Sequence, residues 1–451
     1  MLFILFPLKD INIIMGRIKT IILGAMGRDY HNFLTFFKNN PNYEVVAFTT
    51  SQIIEKHRKF PRELAGKLYK RDIPVHPESE LPELIRKLNV DFVFLAYSDL
   101  SNQDVHEKAS IVLASGANFG LLGTKDTYIK SKKPVIAVTA VRTGSGKSQT
   151  SRAIAKILKK NGKKVIAVRH SMPYGNLLKQ RCQRFASAED FKKHNTSIEE
   201  EEEYQPWIDN GFVVYAGVDY REILKQAERE SDILIKDGGN NDWSFIKPDL
   251  NIVVADPHRA GHELTYYPGF VNFLLADVIV INKVDSAKKE NILLVKEHSK
   301  QYNPKAKIVL ARSEIFVDKP ELIRNKSVIL IEDGPSLTHG GMPYGAGTIV
   351  AKRYKCKVVN AQKYAVGSIK EVYRKYPHLK NELPAMGYSN KQIKELEKTI
   401  NLAKCDTVID ATPANLSRIL KINKPIAEVT YELGIEAVKK LESILKEMKF
   451  I

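Results

Sequence analysis

The stretch Val135-Ile136-Ala137-Val138-Thr139-Ala140-Val141-Arg142-Thr143-Gly144-Ser145-Gly146-Lys147-Ser148-Gln149 decides the fold. An apolar run ends at a glycine-rich turn, and apolar residues at helical spacing, Ile154, Ile157 and Leu158, follow across 149–160. A strand that stops at such a turn and reopens as a helix aims several backbone N–H groups at one point, which suits a polyphosphate. In this pattern Lys147 reaches the β- and γ-phosphates and Ser148 holds Mg²⁺, while Thr143, Gly144, Ser145, Gly146 and Gln149 complete the loop. Gly144 and Gly146 let the backbone come close where a Cβ would clash. Val141 stands where the usual pattern has its first glycine, and Arg142 takes the lysine place of the K-G-G-x-G-K-[ST] variant. The stretch predicts a P-loop that binds a nucleoside triphosphate, ATP or GTP, together with Mg²⁺.

Outward from the loop, strand and helix signals alternate throughout, which predicts an α/β protein of three-layer, doubly wound, mostly parallel sheets. Three blocks are expected: a Rossmann-like α/β domain over 16–131, a P-loop nucleotide-binding domain over 132–324 and a C-terminal α/β domain over 325–451. In the first, a strand at 19–23 ends in Gly24-Ala25-Met26-Gly27-Arg28-Asp29. Thr49-Thr50 close the second strand where an acid would grip a ribose, so a structural turn or another anion site is favoured over a dinucleotide. In the second, strands at 164–168, 232–236, 251–255 and 277–281 each release a polar turn, and such carboxyl ends are where open α/β sheets bind ligands. In the third, a strand at 327–331 runs into Glu332-Asp333-Gly334-Pro335-Ser336-Leu337-Thr338-His339. A later strand, 407–410, runs into Thr412-Pro413, a helix opening.

Asp237, after an apolar strand, is the candidate Walker B carboxylate that holds Mg²⁺ beside Ser148, directly or through water. Asn282-Lys283-Val284-Asp285 matches N-K-x-D, in which the Asp carboxylate accepts from guanine N1–H and the 2-amino group and the Lys lies along the base. Ala311-Arg312-Ser313 follows the strand 307–310 where a further base-contacting loop belongs. His258, Arg259, His262 and Glu263 form the densest ionisable cluster, suited to clamping phosphates or a carboxylate. Gly261 within the His-x-x-x-His spacing, and no Glu in the catalytic place, count against zinc. Arg142 is expected to neutralise charge on a transferred phosphoryl group. Arg169 and His170 are similar candidates or structural residues, while Asp29, His31, Thr338 and His339 join the site only if all three blocks face one cleft.

A chain of 451 residues exceeds one core, and 43% apolar with 27% charged residues is a globular composition. The apolar opening MLFILFPLKDINII is interrupted and too short to span a bilayer, and Met15 is a second candidate start, so a cytoplasmic protein without membrane partners is expected. Three scattered cysteines, Cys182, Cys356 and Cys405, fit neither disulfide nor metal spacing and read as small buried hydrophobes. A net charge of +18 suits a small phosphorylated acid substrate; with no nucleic-acid motif present, nucleic acid is disfavoured as a partner. The acidic run 199–203 reads as the solvated first turns of a helix. Composition leaves a homo-oligomer open.

Gly27-Arg28-Asp29-Tyr30-His31-Asn32-Phe33, residues 140–148 and Arg169-His170-Ser171-Met172-Pro173-Tyr174-Gly175 together resemble an archaeal and bacterial family of P-loop proteins whose members are often named cyclic 2,3-diphosphoglycerate synthetase. Asp237-Gly238-Gly239-Asn240-Asn241-Asp242, Asp256-Pro257-His258-Arg259, Gly261-His262-Glu263, Glu332-Asp333-Gly334-Pro335 and Leu383-Pro384-Ala385-Met386-Gly387-Tyr388 continue the likeness from Met15 onward. The resemblance implies ATP-dependent closure of 2,3-bisphosphoglycerate into its cyclic diphosphate. In that reading His258, Arg259 and His262 orient the acidic substrate. A GTP-binding switch acting on a protein partner, in regulation or metal delivery, is the alternative that N-K-x-D supports.

Overall fold

A computed structural model describes residues 16–25, 27–51, 58–170, 175–239, 242–338, 340–385, 390–413 and 416–451. Met15, Met26, residues 171–174, Asn240, Asn241, His339 and residues 386–388, all singled out above, lie outside the described residues.

Three sheets organise the chain. The central, eight-stranded sheet runs Gln183–Phe185, Val213–Gly217, Val165–His170, Ile233–Asp237, Val135–Ala140, Leu250–Ala255, Val278–Ile281 and Lys307–Leu310. All pairs are parallel except the first, at the edge. Its inner strands read as Val, Ile and Ala with every residue buried, the pattern of a parallel sheet covered on both faces. The first sheet centres on Ile18–Leu23, flanked by Tyr43–Thr50 and Phe92–Leu95. The third centres on Ser327–Glu332 and Thr407–Ala411. It also takes the strand Ser313–Val317, which pairs antiparallel with Ile426–Leu433.

The last helix, Ile435–Glu447, returns to the central sheet. Ala437, Leu441, Ile444 and Leu445 join one buried cluster with Ile154, Leu158 and Val309. The third sheet is therefore tied down on both sides of its own core. Leu441→Ala is expected to destabilise the protein by about 2–5 kcal/mol, the usual cost of emptying a Leu site in a packed core; chemical denaturation measures it. Among the described residues no helix is long and apolar enough to cross a membrane. The three cysteines are free and half-buried, less enclosed than expected.

Candidate functional site

The loop after Val135–Ala140 opens the helix Lys147–Lys160, with Gly146 as its N-cap. Gly144 and Gly146 have left-handed backbones, φ +77° and +108°. A Cβ at Gly146 would overlap the Asn282 amide, and one at Gly144 would come 2.8 Å from Ser336 Oγ. The glycines thus serve conformation and close approach together.

Thr143, Gly144, Gly146, Lys147, Ser148 and Gln149 line a cavity of about 490 Å³ between the central and third sheets. Arg152 and Arg353 line it as well. Burial pulls the Lys147 ammonium below its ordinary pKa, against the pull of the Asp237 carboxylate.

Opposite the loop stand the carboxyl ends of the third sheet. Glu332, Asp333 and Asp410, which end or follow its strands, line the cavity with Glu428, Tyr431 and Glu432 from Ile426–Leu433. Glu332 accepts from the Gly347 N–H at 3.1 Å and the Thr348 N–H at 2.9 Å, yet burial pushes its carboxyl up to about 7. Burial does the same to Asp410, also about 7, although Thr412 donates to it through N–H (3.0 Å) and Oγ1 (2.7 Å). Asp333 is raised by burial too and accepts from the Ser336 hydroxyl. Five acids on one wall is not what a chain of net charge +18 leads one to expect.

Asp237 is wholly buried at the end of Ile233–Asp237. Oδ1 accepts from Ser151 Oγ at 2.8 Å, and Oδ2 accepts from Trp207 Nε1 at 3.2 Å and from Arg169, which also pairs with Glu203. A hard dication at the phosphates needs oxygen ligands in near-octahedral geometry. The Ser148 hydroxyl fits that need on the cavity wall. Asp237, with both oxygens already bonded, fits an outer position reached through water rather than direct ligation. Among the described residues no group of three or more His, Cys, Asp or Glu side chains is arranged to hold a metal ion.

The N-K-x-D residues divide. Asn282 Nδ2 donates to Ser145 O at 2.9 Å, and Lys283 Nζ donates to Gly144 O at 2.7 Å and Asp256 Oδ2 at 2.9 Å, so both brace the loop, and Lys283 also lines the cavity. Asp285 lines the cavity and its Oδ1 accepts from the Ser313 N–H at 3.0 Å, which brings the 311–313 turn to the same place. Asp256, named in the sequence only as part of a motif and given no role there, is a hub. Burial would raise its carboxyl, but Lys283 and Arg259 overcome that and hold it at about 2.

The His–Arg cluster also divides. His258 lines the cavity and its Nε2 meets Ser286 Oγ at 3.0 Å. Arg259 lies outside the cavity lining with its side chain 9% exposed, donating to Gly340 O at 2.7 Å and Asp256 Oδ2 at 3.0 Å. Arg142 and His262 are absent from the cavity lining. Arg142 donates to Asp99 Oδ1 at 2.6 Å and to His262 Nδ1 at 2.7 Å, and lies 3.6 Å from the Tyr266 ring centroid. A guanidinium only donates, so His262 Nδ1 accepts and the ring is neutral; burial, with Arg142 beside it, pulls His262 down to about 4.

Asp29, His31, Arg169, His170 and Thr338 are all buried, and none lines the cavity. Asp29 accepts from the N–H groups of Gly27 (3.0 Å) and Tyr30 (2.6 Å) in its own turn. His31 stacks on Phe245 with 4.2 Å between centroids. The acidic run lies on the helix Ile198–Asp209 as expected, but it is not a solvated face. Glu200 caps the helix with Ser197, Glu202 is buried at the cavity and Glu203 pairs with Arg169. The side chain of Glu199 lies outside the described residues.

No family model matches the chain. It is 55% identical to the arginine synthetase ArcE of Thermococcus kodakarensis over 431 residues, 95% of this chain and 96% of that protein. Among solved structures it is similar to LpxK from Aquifex aeolicus in complex with ATP, with 12% identity, 82% of this chain and 99% of that chain covered, and a TM-score of 0.46. It is also similar to the hydrogenase maturation factor HypB of Archaeoglobus fulgidus, with 19% identity, 40% and 81% covered, and a TM-score of 0.27. Both structural likenesses are too distant to carry an argument.

Proposed function

The chain belongs to the family of the arginine synthetase ArcE, and from that premise we propose that it is an ATP-driven synthetase that completes the guanidinium of arginine in the cavity between the phosphate loop and the third sheet. The observation that carries this reading is the wall facing the loop, lined by Glu332, Asp333, Asp410 and Glu428. A guanidinium presents a planar fork of N–H donors that carboxylates accept bidentately. A bisphosphorylated acid brings several negative charges to the same wall and is repelled at short range in a poorly solvated space.

The chemistry follows from the product. A guanidinium forms from a ureido group by exchanging its oxygen for nitrogen, and that oxygen leaves readily only as phosphate. The ureido oxygen attacks the γ-phosphorus, the bond to the β–γ bridging oxygen breaks and the nucleoside diphosphate departs. The lone pair of ammonia then attacks the ureido carbon, the C–O bond breaks, and inorganic phosphate leaves carrying one of the ammonia protons. Both steps depend on positioning and charge neutralisation. The loop amides and Lys147 bind the triphosphate, Arg152 offsets charge on the transferred group, and the acidic wall orients the ureido end. A magnesium ion bound with the nucleotide would neutralise phosphate charge, held on this chain by Ser148.

Substitutions on the wall test the reading. Glu332→Gln and Asp410→Asn are each expected to weaken arginine binding by about tenfold, the loss of one charge-assisted bond, as measured by calorimetry. Both carboxyls sit near 7 without a cation, so arginine binding strengthens from pH 6 to pH 8 and releases protons. Stability of the ligand-free protein runs the other way. Carboxyls raised in the folded state bind more protons than in the unfolded chain, so stability falls as pH rises from about 4.5 to about 7.

A second reading keeps the phosphoryl transfer but takes 2,3-bisphosphoglycerate as acceptor and closes it to the cyclic diphosphate. Lys147, Arg152, Lys283 and Arg353 on the same cavity favour it. A titration of the protein with each acid separates the two.

A further inference from the structure

The first sheet contributes nothing to the lining of the 490 Å³ cavity, yet it reaches the phosphate loop from the far side. After the strand Phe92–Leu95 the chain crosses to the central unit, where Leu100–Ser101 pairs antiparallel with Tyr266–Tyr267. Asn102 Nδ2 reinforces the junction by donating to Leu264 O at 3.2 Å. Between them sits Asp99, with a left-handed backbone, φ +60°, that non-glycine residues rarely adopt and Asp and Asn tolerate best.

Both Asp99 oxygens point into the loop. Oδ1 accepts from Arg142 Nε at 2.6 Å and Oδ2 faces the Thr143 N–H at 3.4 Å. The Arg142 and Asp99 side chains are only 6% and 8% exposed. His262 and Tyr266 hold the guanidinium from its other sides, so its direction is fixed by the segment that docks the first sheet. Arg142 and Thr143 immediately precede Gly144, whose backbone conformation shapes the loop.

We propose that Asp99 is a positioning residue for nucleotide binding, supplied by the first sheet, which fixes the entry of the phosphate loop through Arg142 and the Thr143 amide. This rests on the reading of the loop as the nucleotide site, and is independent of which acceptor the enzyme uses. Such a grip sets loop geometry before the triphosphate arrives, and misplacement of phosphate donors by a fraction of an ångström is costly in rate and affinity.

The test is binding of a fluorescent ATP analogue with Mg²⁺ to the full chain and to three variants. Asp99→Asn keeps the tolerated backbone and removes the charge; it is expected to raise the dissociation constant about tenfold or more. Asp99→Glu, which restores the charge, is expected to recover most of that loss. Asn102→Ala loosens the same junction without touching the loop and is expected to leave affinity within about twofold of wild type. Wild-type affinity in Asp99→Asn, or an Asn102→Ala loss equal to that of Asp99→Asn, would overturn the proposal, the latter by showing that docking alone matters. If Asp99→Asn does not fold, Arg142→Gln breaks the same pair from the loop side, and wild-type affinity in that variant would overturn the proposal. Absence of binding by the wild-type protein would overturn the loop reading and this proposal with it, whereas failure to form arginine leaves both untouched.

Discussion

Lys147→Ala is expected to lower ATP consumption about 10³-fold, the scale set by removing a preorganised charge from a phosphoryl-transfer site. Lys147 is the first residue of the helix that the loop opens, and its side chain faces the cavity. The protein already bears a cost to hold it there, because burial works against its charge. When the ammonium is lost, Asp237 keeps its bonds to Arg169, Ser151 and Trp207, and Asp333 keeps the Ser336 hydroxyl. The variant therefore remains folded, with a cooperative unfolding transition, while turnover collapses. Coupled nucleotide assays beside thermal melts check both halves, and normal activity in a folded Lys147→Ala protein would sink the phosphate-loop reading.

Asp237→Ala has the opposite signature. Here the fold suffers first. The substitution leaves the Arg169 guanidinium, 1% exposed, with Glu203 as its remaining acid and deprives the Trp207 indole N–H of its acceptor. Breaking one side of a buried pair costs about 3–5 kcal/mol, far more than the pair contributes in net terms. Denaturant unfolding is expected to show that loss. Replacing Arg169 by Met in the same protein is expected to recover a large part of it, because no uncompensated charge remains. A loss under about 1 kcal/mol in Asp237→Ala would mean that the carboxylate and guanidinium are not held as a buried pair.

The phosphate loop and the strands around it were legible because their signals are local. A run of Val, Ile and Ala followed by Gly144 and Gly146 specifies strand, turn and helix within about fifteen residues, and neighbouring strands repeat the pattern. Roles that depend on distant partners were not legible. Arg142 reads as a phosphoryl-neutralising residue from its place in the loop, but Asp99, far earlier in the chain, takes its Nε and turns the side chain toward the first sheet. His262 is drawn the same way, by Arg142 itself. Asn282 and Lys283 match a base-reading motif, yet they spend their donors on Ser145 and Gly144 carbonyls. Glu332 and Asp410 were visible only as strand-end acids. They face the loop because Ser336 packs on Gly144, Arg259 reaches Gly340, and the last helix docks on the central sheet. The acidic run misled for a related reason: its charge suggested solvent, whereas capping by Ser197 and the buried Arg169 turn it inward.

Formation of arginine is the most direct test. The purified protein is incubated with ATP, Mg²⁺, ammonium and citrulline, the ureido amino acid with an oxygen where arginine has a nitrogen, and arginine, nucleoside diphosphate and phosphate are quantified. The expected result is one arginine and one phosphate for each ATP consumed, with nothing formed when any component is left out. No arginine under these conditions, together with ATP consumption stimulated by 2,3-bisphosphoglycerate and a cyclic diphosphate signal in the phosphorus spectrum, would contradict it and give the cavity to the other acid.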